Sequence, residues 1–159
     1  MSPALRAQTS TLLLAAWFGA ALITVAVVAP GAFEVLPSRT LAGAMVGRVL
    51  PTLFVAGMVI GILVAALARD PRSGTVSRWV AIPAVVTALS CGVAQFVITP
   101  KLDRLRAEIG GPVDALAADD ARRVAFGMLH GYNVAGLGVA MLGAVVCLGF
   151  LYSSLRPRT

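Results

Sequence analysis

The chain has 159 residues, of which 58% are apolar and 13% charged, and its mean hydropathy is +0.90. Charged residues stand at about half the quarter usual in soluble domains, and the formal net charge is +6. These values exclude a soluble globular enzyme, a disordered chain and a disulfide scaffold, and leave a small polytopic membrane protein.

Residues 11–33, 49–68, 79–100 and, with His130 counted as neutral, 124–155 carry no charge. A helix of roughly 20 apolar residues crosses the hydrocarbon and satisfies its own backbone there. The expected fold is all-α, a four-transmembrane-helix bundle in a single membrane domain, 1–159, with helices about 11–32, 39–68, 77–109 and 112–155. Arg6 could start a signal peptide, but the apolar run is long and ends in Ala29-Pro30, a poor cleavage junction. It reads as a retained first helix.

An even number of spans puts both termini on one side, here side A. Side A carries Arg6, Arg69, Arg72, Arg78, Arg156 and Arg158 against Asp70. Side B carries Arg39, Arg48, Lys101, Arg104, Arg106, Arg122 and Arg123, nearly neutralised by Glu34, Asp103, Glu108, Asp114, Asp119 and Asp120. Basic residues nearly balance across the membrane, so the positive-inside rule is weak here. The acids on side B, and Trp17, Trp79 and Tyr152 toward side A as an aromatic belt, favour cytoplasmic termini in a cell membrane. The positive charge fits headgroup anchoring. No run of four to eight bases marks a lipid-specific patch, and nothing beyond the pI speaks for nucleic acid.

The first span ends Val27-Val28-Ala29-Pro30 and the third Val97-Ile98-Thr99-Pro100, 70 positions later. Val55-Ala56-Gly57 and Val134-Ala135-Gly136 recur in the second and fourth. The pattern suggests a duplicated hairpin arranged as a parallel repeat. Ser38 is placed to cap the second helix, and Pro51 to kink it. After Pro100, Leu102, Leu105 and Ile109 recur at helical spacing opposite Asp103, Arg104, Arg106 and Glu108. This predicts a short amphipathic extension between helices 3 and 4. It ends at Gly110-Gly111, and Pro112 suits the first turn of the next helix.

Gly43 and Gly47, Gly57 and Gly61, and Gly127 and Gly131 place small residues on one helix face, which permits close packing in lipid. The contact could lie within the bundle or between copies. Gln95 with Thr99, Arg48 with Thr52, and His130 with Asn133 pair at helical spacing toward side B, with Tyr132 beside them. Polar groups in lipid are costly, which makes these seven the candidate ligand pocket. Pro51 could leave a carbonyl free to face it. His130 is the only histidine. It could tie helices together, line a ligand site, or bind haem or metal, but it lacks a recognisable second ligand. No catalytic residue, cofactor or metal site is expected. Ion pairs of Arg48 with Glu34, and of Arg122 or Arg123 with Asp103, could lock the connectors. Cys91 and Cys147 read as buried small hydrophobes.

Several motifs now stand in order along the chain. They are Trp17-x-Gly19, Ala29-Pro30-x-x-Phe33, Gly43-x-x-x-Gly47-Arg48-x-x-Pro51, Thr99-Pro100-x-x-Asp103-x-x-Arg106 and Phe126-x-x-Leu129-His130-Gly131. Together, from about Leu12 to Leu155, they resemble the bacterial domain-of-unknown-function family related to the human transmembrane protein two-hundred-and-five. The resemblance implies a four-helix integral membrane fold and no assigned activity. Two functions remain open. One is a non-enzymatic module that binds a partner or small solute, alone or as a homo-oligomer or part of a larger membrane complex. The other is a redox or oxygenase-type protein that uses His130 with haem or metal.

Overall fold

The computed structural model describes residues 1–69 and 77–155. The side-A residues Asp70, Arg72, Arg156 and Arg158 lie outside them. Four helices are long and apolar enough to cross a membrane. They are α1 (Pro3–Val35), α2 (Arg39–Leu67), α3 (Arg78–Ile109) and α4 (Ala121–Leu155). The protein is an all-α four-helix membrane bundle. Its helices alternate in direction, and each packs against two others, so that α1 and α3 are both flanked by α2 and α4.

Local chemistry sets the ends. Ser2 caps α1 by accepting from Leu5 N–H at 3.2 Å, just ahead of Pro3. Helix 1 therefore starts well before the uncharged run. Ser38 caps α2 in the same way through Leu41 N–H, also at 3.2 Å. Gly110 ends α3 in the left-handed region at φ 67°, where a side chain would be strained.

Helix 4 begins at Ala121, not near Pro112. Pro112 instead opens a single 3-10 turn, Val113–Ala115. Asp120 is the true cap, since its side chain accepts from Arg122 N–H at 2.8 Å and its carbonyl from Val124 N–H at 3.0 Å.

Neither Pro30 nor Pro100 ends a helix. Each is preceded by a π-helical turn, Thr24–Val28 in α1 and Ala94–Ile98 in α3. Ala29 N–H reaches back five residues to Thr24, and Thr99 N–H to Ala94. The wider turn relieves the clash between a proline ring and the carbonyl four residues earlier. Pro51 and Pro83 lie inside α2 and α3 without breaking them.

The buried stripes repeat with the same interval. Ser10, Leu14, Trp17, Ala21, Thr24 and Ala32 of α1 are buried. So are Val80, Ala84, Thr87, Cys91, Ala94 and Leu102 of α3, each 70 positions after its counterpart. The alternating steps of four and three are those of a coiled-coil seam. The core combines these with Leu53, Phe54 and Val64 of α2 and Leu137, Ala140, Ala144, Cys147 and Leu151 of α4.

Glycine decides which contacts are closest. A Cβ on Gly61 would lie 2.7 Å from the Ala84 carbonyl oxygen, and one on Gly57 2.6 Å from Cys91 Sγ. Gly57 and Gly61 thus seat α2 on α3. Gly143 does this for α4, where a Cβ would lie 2.5 Å from Thr87 Oγ1. Gly43, Gly127 and Gly131 have nothing within 4 Å, and Gly47 meets only Arg106 Nη1 at 3.8 Å. Those four glycines make no close helix contact within the bundle.

Candidate functional site

The side-A half of the bundle is tight, and Trp17, Thr87 and Cys147 each reach a carbonyl across a helix interface. Trp17 is 3% exposed, and its indole donates to the Leu53 carbonyl at 2.9 Å. It is an interhelical tie and not an interfacial anchor. Trp79 and Tyr152 remain exposed, and Trp79 packs near Phe150 with Arg78 over its ring. The Thr87 hydroxyl is shared between the Pro83 carbonyl of its own helix at 3.0 Å and the Ala140 carbonyl across the interface at 3.1 Å, and Cys147 donates to the Val80 carbonyl at 3.3 Å. Cys91 and Cys147 are buried free thiols.

Toward side B the interior stripe of α4 continues backward from Ala140 through Leu137 and Asn133 to His130. Burial fades along it, from 0% exposure at Ala140 to 7% at Asn133, while His130 is exposed.

The seven polar residues expected to share one pocket separate into three groups. Asn133 is buried and Gln95 half-buried, and Asn133 Oδ1 and Gln95 Oε1 are both shut from solvent without a hydrogen-bond partner. Gly136 lies 3.7 Å, measured from its would-be Cβ, from the Ala94 methyl. Asn133, one turn nearer side B, thus stands at the level of the π turn that holds Gln95.

Thr99 is spent internally, since its hydroxyl donates to the Ala94 carbonyl at 2.9 Å. Arg48, Thr52, His130 and Tyr132 are exposed and do not line an interior space with the other two. His130 does not point between Gln95 and Arg48. Its ring lies nearly parallel to Phe126, at 3° with centroids 6.3 Å apart.

The structure draws in residues that sequence spacing did not link. The Arg106 guanidinium lies 5.3 Å from the Phe126 ring centroid, and its Nη1 is 3.2 Å from Asp103 Oδ1. Asp103 therefore pairs along its own helix and not with Arg122 or Arg123. Arg122 instead grips both carboxylate oxygens of Asp120, and Arg123 donates to the Leu116 carbonyl at 2.7 Å. Between described residues, the ion pairs are Asp103–Arg106 and Asp120–Arg122, and Glu34–Arg48 is not among them. The i, i+3 interval between Asp103 and Arg106 was visible in the sequence, but the approach of Phe126 needs the fold.

The concave features lie elsewhere. A groove of about 300 Å³ between α1 and α2 is lined by Trp17, Ala20, Thr24, Val49, Thr52, Leu53, Ala56 and Ile60. It is apolar and open. Among the described residues no three His, Cys, Asp or Glu side chains are grouped as a metal would need.

Neither the curated proteins nor the solved structures compared with the chain give a match. One family model does, "Domain of unknown function (DUF4149)", over residues 12–110, from α1 to the glycine that caps α3. By that match over most of its length, the chain belongs to the DUF4149 family.

Proposed function

We propose that this protein is a non-enzymatic module of the cell membrane that binds a small polar solute, or a polar segment of a partner, at its side-B end, with both termini in the cytoplasm. One observation carries the reading. Gln95 Oε1 and Asn133 Oδ1 are buried acceptors without donors, at one level of the bundle. A buried acceptor left unpaired costs about 1–3 kcal/mol, and a ligand with two donor groups would recover that cost. Gln95 also sits in a π turn, a feature frequent at functional sites. The shared 70-residue interval of stripes, π turns and prolines supports a duplicated hairpin. The motif order supports kinship with the human transmembrane protein named above. Assembly as a homo-oligomer or within a larger membrane complex belongs to the same proposal.

The test is a melting screen of the detergent-purified protein against small polar solutes carrying amine, amide or hydroxyl donors. A solute that raises the melting temperature of the wild type but not of a Gln95→Leu/Asn133→Leu variant is the expected result. A panel that shifts both proteins alike counts against the reading. The redox alternative at His130 has no group of three His, Cys, Asp or Glu side chains among the described residues to draw on. Absorption spectroscopy with elemental analysis separates the two, since a Soret band or a stoichiometric metal would favour the alternative.

A further inference from the structure

We propose that the side-B rim formed by α3 and α4 binds a phosphate group, with Arg106 as the ligand-binding residue and Phe126 and Asp103 as positioning residues. The proposal uses neither Gln95 nor Asn133, so it stands or falls apart from the reading above.

The arginines of this rim differ in how much of their hydrogen-bonding capacity is already used. Near this rim, Arg122 is committed to both oxygens of Asp120, and Arg123 to the Leu116 carbonyl. Arg106 gives a single Nη1 bond to Asp103, and its side chain remains 40% exposed. A guanidinium offers five N–H donors in a planar fork, so most of the fork is unspent.

The fork is also held still. Its carbon lies 5.3 Å from the Phe126 centroid, within cation–π range. Phe126 is itself backed by the nearly parallel ring of His130. On the side of α2, Gly47 faces the same guanidinium, with its would-be Cβ 3.8 Å from Nη1. Three helices thus meet at one cation. A guanidinium held over a ring still has N–H groups for two parallel bonds, the arrangement that suits phosphate and that lysine cannot reproduce.

Depth points to the source of the phosphate. Arg106 follows the uncharged run that ends at Pro100 by six residues, about 9 Å of helix at 1.5 Å per residue. Headgroups occupy roughly the outer 5–7 Å on each side of the hydrocarbon. The fork therefore stands at or just beyond the headgroups, where a lipid phosphate is the abundant ligand and free phosphate the other source.

The test uses the full chain in detergent, with native mass spectrometry to count retained phosphatidylglycerol and melting curves to confirm folding. Arg106→Gln should weaken phosphatidylglycerol binding about tenfold, in line with loss of a charge-assisted bidentate contact. Arg106→Lys should fall between, and Arg39→Gln, a side-B control, should match the wild type. In a second arm inorganic phosphate is added. If it displaces the lipid from the wild type and raises the melting temperature of the wild type but not of Arg106→Gln, the site stands with free phosphate as its ligand. If it does neither, the lipid headgroup is the source. Equal retention in wild type and Arg106→Gln, or equal loss in Arg106→Gln and Arg39→Gln, would overturn the site. Should Arg106→Gln not fold, Arg106→Lys carries the test, and binding equal to the wild type would overturn the fork.

Discussion

The indole of Trp17 on α1 donates to the carbonyl of Leu53 on α2 at 2.9 Å, and its ring occupies the space a side chain on Gly57 would need, 2.7 Å from the Cβ position. A long donor reaches across the bundle because a residue with no side chain lets it. In the second hairpin Thr87, 70 positions after Trp17, donates to the Ala140 carbonyl beside Gly143. Trp17→Phe keeps an aromatic side chain but removes the donor together with part of the buried ring system. It should lower stability by about 1 kcal/mol, the usual worth of an interhelical hydrogen bond in lipid. Thermal melting in detergent measures this, and an unchanged midpoint would show that the bond contributes nothing.

The glycines divide into two classes with opposite expectations. A methyl at Gly61 would sit 2.7 Å from a backbone oxygen of α3, which cannot swing aside. Gly61→Ala should therefore cost about 1–3 kcal/mol, as overpacking does. Gly43→Ala and Gly127→Ala meet open space and should leave the melting midpoint of the monomer unchanged or raised. A drop for Gly127→Ala in the detergent-solubilised oligomer alone would locate that face at a contact between copies.

The four spans and the Ser38 cap were legible in the sequence because hydrophobic length and a serine before a helix act locally. The contacts that organise side B were not. Trp17 looks like a belt residue by depth, and only the neighbouring Gly57 shows that it turns inward. Pro30 and Pro100 read as terminators because hydropathy carries no sign of a π turn. His130 and Asn133 share a face by spacing, yet only Asn133 is buried, and His130 lies instead against the Phe126 ring. Arg106 and Phe126 lie on different helices, and no periodicity links them.

Acid should loosen the start of α4. Arg122, through its guanidinium and then its backbone N–H, holds the Asp120 carboxyl down at about 2 from an ordinary 3.8. A depressed carboxyl stabilises the fold above its unfolded value, and that contribution is lost as pH falls from about 4 through about 2. Asp120→Asn can still cap but has no charge to lose. Its melting temperature should fall less than that of the wild type between pH 4 and pH 2, and parallel curves would refute the assignment.

Topology is open to a direct test. Single cysteines at Ser2, Ser77 and Ala118, in a background without Cys91 and Cys147, should label from two sides of the membrane. Positions 2 and 77 should react together and 118 opposite, with 118 on the external face if the termini are cytoplasmic. Labelling of all three from one side would defeat the four-span arrangement.

The π turn of α3 should exist to seat Pro100, and a deletion can ask whether it does. A π turn holds one more residue than the α turn it replaces, while the buried stripe passes from Ala94 to Leu102 on the same face. Deleting Val97 would return this stretch to α geometry without rotating Leu102, Asp103 and Arg106 away from their contacts. It would also press the proline ring against the carbonyl four residues back, at a cost of about 3 kcal/mol. Combining the deletion with Pro100→Ala removes that clash and supplies an N–H. Most of the lost stability should then return, along with the Arg106–Phe126 contact. Deleting Val86 instead, where the helix is regular α, turns everything beyond it by about 100° and should not be rescued by Pro100→Ala. Melting curves of the deletions with and without Pro100→Ala decide the matter. Equal stability of the Val97 deletion in both backgrounds would mean that the turn serves Gln95 and not the proline.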